Sequence, residues 1–278
     1  MKVYISEGFK HVREHYFVVL FLFIYQLVWG MFLYKIVSSA VVPLLMRYPD
    51  PPPHELSKVL FWMEGQLSLS SSPLVQQYAW LLVLMFLIRM LMTPLIRAGL
   101  LHSLHEQENT AKGLAFFQGI KQHWKKASLL YIIEVILLLI PAYWIVPVIF
   151  PILITAIYNL PVLTKIIPYL LLWIIYGYAI KQLLLYWQIG LIGKRRGSGS
   201  IWICIRYAIP VTLISLLLGF ITLAIFGSFT TVSLIWTGLL ALILQQTYHL
   251  IRSIMNVWKI SSHFSLWHSK NSSDNNAN

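Results

Sequence analysis

Arg89, Glu134 and Lys181 lie inside long apolar runs, where a charge either performs a function or binds another polar group. At the centre of a bilayer such a charge costs at least about 2.5–3.5 kcal/mol unless it is paired or hydrated. Arg89 precedes Arg97 by eight residues, and Glu134 follows Lys126 by eight. On α-helices both would stand about 12 Å from the same end of their spans. Lys181 precedes Lys194 by thirteen residues, about 20 Å, with a stem long enough to snorkel back. Gln26, Gln182, Gln188, Gln245 and Gln246 add amides to other apolar runs. Two chemistries suit this set. One is a polar pathway or binding cavity open toward the cytoplasm. The other is an ion pair with amide contacts that hold helices together. Equal depth on successive helices predicts that Arg89 and Glu134 meet, with Lys181 near enough to compete for the carboxylate.

Enzymatic chemistry has little to work with. No H-E-x-x-H pattern occurs, since the His-Glu pairs at His54 and His105 lack the second histidine. There is no G-x-S-x-G elbow and no phosphate-binding P-loop. Asp50 and Asp274 are the only aspartates, so an intramembrane aspartate pair is excluded. Cys204 is the only cysteine, which rules out an internal disulfide and any multi-cysteine metal site. His11 with His15, and His102 with His105, have helical spacings that could hold a metal. Beside basic apolar junctions they read instead as solvated or headgroup-facing, so neither a metal nor a cofactor is expected. The chain does not read as an enzyme.

The elements that must position the charges follow from composition. Of 278 residues, 58% are hydrophobic and 11% charged, against about 45–50% and about 25% in soluble domains. Mean hydropathy is +0.72. Lipid, not water, must be the solvent for so much apolar surface. The 11 Trp and 15 Tyr suit rings held at headgroup depth on several helices. The net charge of +12 would suggest nucleic acid in a soluble protein. Here no nucleic-acid motif accompanies it, and the basic residues flank apolar runs. Anionic lipid headgroups of the bilayer are the partners this pattern implies.

Six stretches are apolar for the ~20 residues that a spanning helix needs: 16–36, 77–96, 127–147, 166–192, 208–227 and 231–251. Lysines and arginines crowd alternate connections. Lys2, Lys10 and Arg13 precede the first stretch, and Arg97, Lys112, Lys121, Lys125 and Lys126 follow the second. Lys194, Arg195, Arg196 and Arg206 follow the fourth, and Arg252, Lys259 and Lys270 the sixth. The opposite side carries Arg47, Lys58 and Lys165, with Lys35 at a helix end. The positive-inside bias therefore puts both termini in the cytoplasm. The stretch 147–164 is apolar as well. Crossing there would send the Lys194–Arg196 cluster outside, and Pro141, Pro147, Pro151 and Pro161 remove backbone donors that lipid cannot replace. It reads as an interfacial or re-entrant piece on the outer side. The first apolar run exceeds the ~7–15 residues of a signal-peptide core and reads as a retained helix.

The sequence also repeats. GFKHVREHYFVVL from Gly8 and GIKQHWKKASLLY from Gly119 share a glycine, a lysine two residues on, a basic and aromatic turn and an apolar run. The stretch from Gly199 to Ile214 is a weaker relative. Each leads into an outward span through a short amphipathic cytoplasmic segment. Phe9, Phe116, Phe117, Trp124 and Trp202 are expected in the headgroup boundary there, with Lys10, Lys121 and Arg206 toward phosphates. The returning helices share a Gly-Leu pair, in IRAGLL from Ile96 and WQIGLI from Trp187. The fold class is thus all-α, a polytopic membrane bundle of six helices built as three hairpin repeats. Residues 1–268 form a single transmembrane domain, and 269–278 a disordered polar tail.

This arrangement of Gly-x-Lys lead-in, hairpin and Gly-Leu exit resembles uncharacterised six-helix integral membrane proteins of Gram-positive bacteria. More distantly it resembles the membrane region attached to some bacterial glycerophosphodiester phosphodiesterases. The resemblance implies a multi-pass protein of the bacterial cytoplasmic membrane. It does not imply phosphodiesterase activity, because no such catalytic domain is present. Repeats and intramembrane charges point to a transporter or permease-like component. The alternative is a non-catalytic accessory or scaffold protein that organises membrane proteins or lipids, with a membrane-protein partner or a second copy of itself. The charge asymmetry predicts that reporter fusions after Ile192 and after Ile251 are active only with a cytoplasmic reporter. An extracellular signal from a fusion at Gly197 would require seven spans.

Overall fold

The computed structural model describes residues 2–41, 73–106, 112–156, 160–193, 197–235 and 239–276. Among them the chain is helical throughout, with eight α-helices and no strand. They are α1 (Lys2–Glu14), α2 (Tyr16–Ile36), α3 (Pro73–His105), α4 (Lys112–Ala156), α5 (Ile167–Ile192), α6 (Gly197–Arg206), α7 (Ala208–Ile235) and α8 (Leu239–Asn276). A π-helical turn, Val37–Val41, ends α2, and a 3-10 segment, Leu160–Ile166, leads into α5. Five stretches are long and apolar enough to cross a membrane: Tyr16–Ser39, Gln76–His105, Gly113–Leu153, Pro161–Ile192 and Ala208–Val232. On that ground the chain is a multi-pass membrane protein. The sixth expected span, 231–251, is divided between the end of α7 and the start of α8, with 236–238 outside the described residues. The stretch 269–276, expected to be disordered, is helical as far as Asn276. Ser272 Oγ donates there to the carbonyls of His268 and Ser269.

The prolines of α4 do not end it. The helix holds Pro141, Pro147 and Pro151 and runs 45 residues, about 68 Å, well beyond the ~30 Å of hydrocarbon. A proline frees the carbonyl four residues back, so Pro141 leaves that of Leu137 without its helical donor. Tyr176 Oη of α5 donates to the Leu137 carbonyl at 3.1 Å, and Trp173 Nε1 donates to Leu138 at 3.2 Å. Residues 147–156, expected as a separate interfacial piece, are therefore the continuation of α4, because a neighbouring helix replaces a donor that lipid cannot supply.

Buried side chains gather at one end of the bundle. They come from 12–22 on α1 and α2, Ile96–Leu104, Phe116, Leu184–Ile192, Ile203–Leu218 and Met255–Trp267. Toward the other end Leu84, Phe86, Trp144, Leu172, Ile174 and Phe220 are exposed, as lipid-facing residues should be. Each amphipathic lead-in docks on a returning helix at this packed end. α1 lies on α8, the first turns of α4 on α3, and α6 on α5. Small residues set how closely the helices approach. A Cβ on Gly8 would meet the Ser262 backbone at 2.8 Å, and one on Gly119 would collide with His102 Cβ. A Cβ on Gly99 would sit 2.7 Å from the Phe116 ring.

Phe116 is accordingly buried against α2 and α3 instead of standing in the headgroup boundary, and its ring centroid is 5.5 Å from that of Phe21. Phe117, Trp124 and Trp202 are exposed, while Phe9 packs on Trp258 at 5.1 Å. Helices break between lead-in and span at His15 and at Tyr207, but α4 passes through unbroken. Pro210, three residues after Tyr207, removes the donor for the Arg206 carbonyl and accounts for the second break. Gly119→Val should lower stability by about 1–3 kcal/mol by overpacking against His102. Gly219→Ala, where an added Cβ meets nothing within 4 Å, should cost no more than about 0.5 kcal/mol. Thermal unfolding of the purified protein in detergent compares the two.

Candidate functional site

A cavity of about 600 Å³ opens between α2, α3, α5 and α8. Five cationic side chains line it: Arg89 and Arg97 from α3, Lys181 from α5, and Arg252 and Lys259 from α8. α2 contributes Tyr25, Gln26 and Trp29, and Gln182, His249 and Asn256 complete the polar wall. Among the described residues only Arg97 of the five cations has an acidic partner, its Nη1 donating to Glu134 Oε2 at 2.9 Å. Burial first, and then the charges of Lys181 and Arg97, hold the Lys259 ammonium below its ordinary value. Tyr25 Oη, Gln26 Oε1, Trp29 Nε1, Gln182 Oε1 and His249 Nδ1 are buried atoms of lining residues with no hydrogen-bond partner among the described residues.

The expected Arg89–Glu134 pair does not form. Glu134 is buried on Arg97, and the Arg89 guanidinium lies 5.1 Å over the Trp29 ring. The direction of helical side chains explains the exchange. Each Cα–Cβ bond tilts toward its own helix N-terminus. Arg97 on α3 therefore leans away from the α3–α4 connection, and Glu134 on α4 leans toward it. The two converge, whereas Arg89 leans farther off. Lys181 lines the same cavity and makes no ion pair among the described residues. Gln26 and Gln182 also line it, and Gln182 Nε2 donates to Ser215 Oγ at 2.8 Å. Gln188 is buried away from the cavity, and the side chains of Gln245 and Gln246 lie outside the described residues.

Sequence reasoning places Arg252 and Lys259 in the cytoplasmic C-terminal segment and passes over His249, Asn256 and His263. The signal was present in the spacing. Arg89 and Arg97 on one returning helix are matched by Arg252 and Lys259 on another, eight and seven residues apart, and by Lys181 with Gln188 on the third. Arg97-Ala98-Gly99 and Lys259-Ile260-Ser261 are each followed by a Ser-Leu pair at the same distance, Ser103-Leu104 and Ser265-Leu266. The Gly-Leu pair shared by α3 and α5 is absent from α8.

One turn past Lys259, a buried relay joins three helices. Gln182 of α5 donates to Ser215 Oγ of α7, and that oxygen lies 2.9 Å from His263 Nε2 of α8. Tyr186 Oη stands 3.4 Å from His263 Nδ1. Burial, with Lys259 adding, lowers the His263 imidazole from its ordinary 6.5 to about 3, so it stays neutral. The relay resembles a nucleophile–base pair in geometry; Ser215, His263 and Tyr186 are buried, and Gln182 is the member that lines the cavity.

Of the two histidine pairs, His102 and His105 take different partners. His102 Nε2 bonds Glu106 Oε2 at 2.9 Å, while His105 meets the Phe264 ring edge-on and the Trp267 ring at a tilt. His11, Glu14 and His15 do bring their ligand atoms within 4.8 Å of one another, and His15 Nδ1 also bonds Ser103 Oγ at 2.9 Å. Burial pushes the Cys204 thiol up to about 11, which leaves it unreactive.

Comparison with family models, curated proteins and solved structures finds no match to this chain. Glu134→Gln should destabilise the protein by about 3–5 kcal/mol by stripping Arg97 of its partner. Adding Arg97→Gln should recover most of that loss, whereas adding Arg89→Gln should not. Thermal midpoints of the three purified variants decide which arginine is the partner.

Proposed function

We propose that the protein is a transporter or permease-like component of the bacterial cytoplasmic membrane that takes up an anion in the cavity between its returning helices. The carrying observation is five cations around a single 600 Å³ space, of which only Arg97 has an acidic partner among the described residues. A cluster of like charges is stabilised by an ion of opposite sign, and the unpartnered polar atoms of Tyr25, Gln26, Trp29 and Gln182 add donors and acceptors to orient it. Six spans in three hairpin repeats, with both termini cytoplasmic, place the cations of all three returning helices at similar depth. Same-direction repeats about an axis near the membrane normal are one way in which transporters are built. The positive-inside bias supports that orientation, and the resemblance to six-helix membrane proteins of Gram-positive bacteria supports that location.

The same cavity would serve an accessory protein that holds an anionic lipid without moving it, so flux separates the two roles. Inorganic phosphate titrated into the purified protein should raise its thermal midpoint saturably. Lys181→Gln with Arg252→Gln should weaken that response at least about tenfold, which is about 1.4 kcal/mol. Lys126→Gln, outside the cavity, should not change it. Proteoliposomes that bind the anion but do not pass it would favour the accessory role. An unchanged response in the cavity variant would remove the anion site altogether.

A further inference from the structure

The cationic cavity does not stand alone. A second cavity, of about 490 Å³, lies between α7 and α8 and shares Arg252, Asn256 and Lys259 with the first. Its remaining wall is mostly apolar, including Leu218, Leu223, Phe226 and Met255. It opens on the outer surface of the bundle, where Leu223 and Phe226 are exposed on a span. Gly219 lines it, and an added Cβ there would meet nothing within 4 Å. From Lys259 the groove runs toward the packed Phe226 and Tyr248 rings, 5.5 Å apart. That is eleven residues along α8, or about 16 Å.

We propose that the ligand is an anionic phospholipid. Its phosphate headgroup would sit among Arg252, Lys259 and the other cations, and an acyl chain would lie in the groove between α7 and α8. This rests on the anion-binding reading above and names its substrate class. Two features favour a lipid over a soluble anion. A small anion needs a polar route, whereas this opening is apolar and faces the hydrocarbon through Leu223 and Phe226. The polarity is also that of a lipid in the cytoplasmic leaflet. Lys259 and Arg252 lie toward the end of α8 that carries the packed lead-in helices, and the apolar groove runs from them toward the membrane interior. A headgroup entering sideways would meet Arg252 first and reach Arg89, Arg97 and Lys181 without its chain leaving apolar surroundings. The phosphate is the element shared with a soluble phosphate ester, and the chain is what distinguishes the two.

The test uses the full-length protein in maltoside micelles, with thermal midpoint and native mass spectrometry as readouts. The probes are dioleoyl phosphatidate, dioleoyl phosphatidylcholine and glycerol 3-phosphate. Phosphatidate should bind at least tenfold more tightly than either of the others. Arg252→Gln with Lys259→Gln should abolish that preference. Gly219→Trp, which fills the groove where there is room for it, should weaken phosphatidate at least tenfold and leave glycerol 3-phosphate unchanged. Its midpoint without ligand, equal to that of the parent, shows that it is folded. If glycerol 3-phosphate binds as tightly as phosphatidate and Gly219→Trp affects neither, the lipid assignment is overturned while the anion site stands. If none of the three probes binds, both fall.

Discussion

Two cations held 4 Å apart repel by about 4 kcal/mol even at an effective dielectric of 20, and by more where water is excluded. Arg89, Arg97, Lys181, Arg252 and Lys259 share one cavity under that constraint. Glu134 relieves part of it through Arg97, and the Trp29 ring face takes the Arg89 guanidinium. Burial first, and then the charges of Lys181 and Arg97, keep the Lys259 ammonium below its ordinary value. An arrangement like this does not arise to stabilise a helix bundle, because amides or apolar side chains would hold the same helices together more cheaply. It persists only if the surrounding packing overdetermines it. That packing lies at the end of the bundle where the lead-in helices dock.

The docking order shows how this is achieved. α4 returns on α3 and α6 on α5, each next to its neighbour in the chain, whereas α1 reaches α8 from the far end of the sequence. Trp258 Nε1 donates to the Ile5 carbonyl at 2.9 Å, and Gly8 lies against Ser262. These contacts close the set and tie down the helix that carries Arg252 and Lys259. The close approaches at Gly8, Gly99 and Gly119 bring helices together and supply dispersion contacts that larger residues would prevent. The glycines that open the two sequence repeats thus have a packing role. The membrane-entry character of those stretches comes from the residues around them.

Composition and hydropathy carried the helical class and five of the spans, because an apolar run of spanning length has few alternatives in lipid. Arg89, Lys181, Gln26 and Gln182 were identifiable as polar residues within spans by the same rule. The Arg97–Glu134 pair was not, because residue counting gives depth along a helix but not the lean of a side chain toward its N-terminus. Arg97 had also been placed in a connection, although α3 continues eight residues beyond it. The continuity of α4 was hidden for a related reason. Whether a proline ends a helix depends on a donor from elsewhere, and Tyr176 lies 39 residues from the carbonyl it satisfies. Arg252 and Lys259 were counted among the basic residues beyond the sixth stretch, because α8 carries the end of the last expected span on into a long polar half.

The relay at His263 links the two aspects of α8. A neutral imidazole can both accept from and donate to neighbours, which a lysine or arginine in its place could not do. Held between Ser215 and Tyr186, it fixes the rotation of α8 about its own axis relative to α5 and α7. Lys259, one turn earlier, then points at both cavities, and Arg252, two turns before that, does the same. Protonation of His263 would add a sixth cation beside Lys259, and burial opposes this by keeping the ring neutral far below its ordinary range. The relay sets the orientation of the site without adding to its charge. The cations remain the groups that an anion meets, and the α7–α8 groove remains the apolar way toward them.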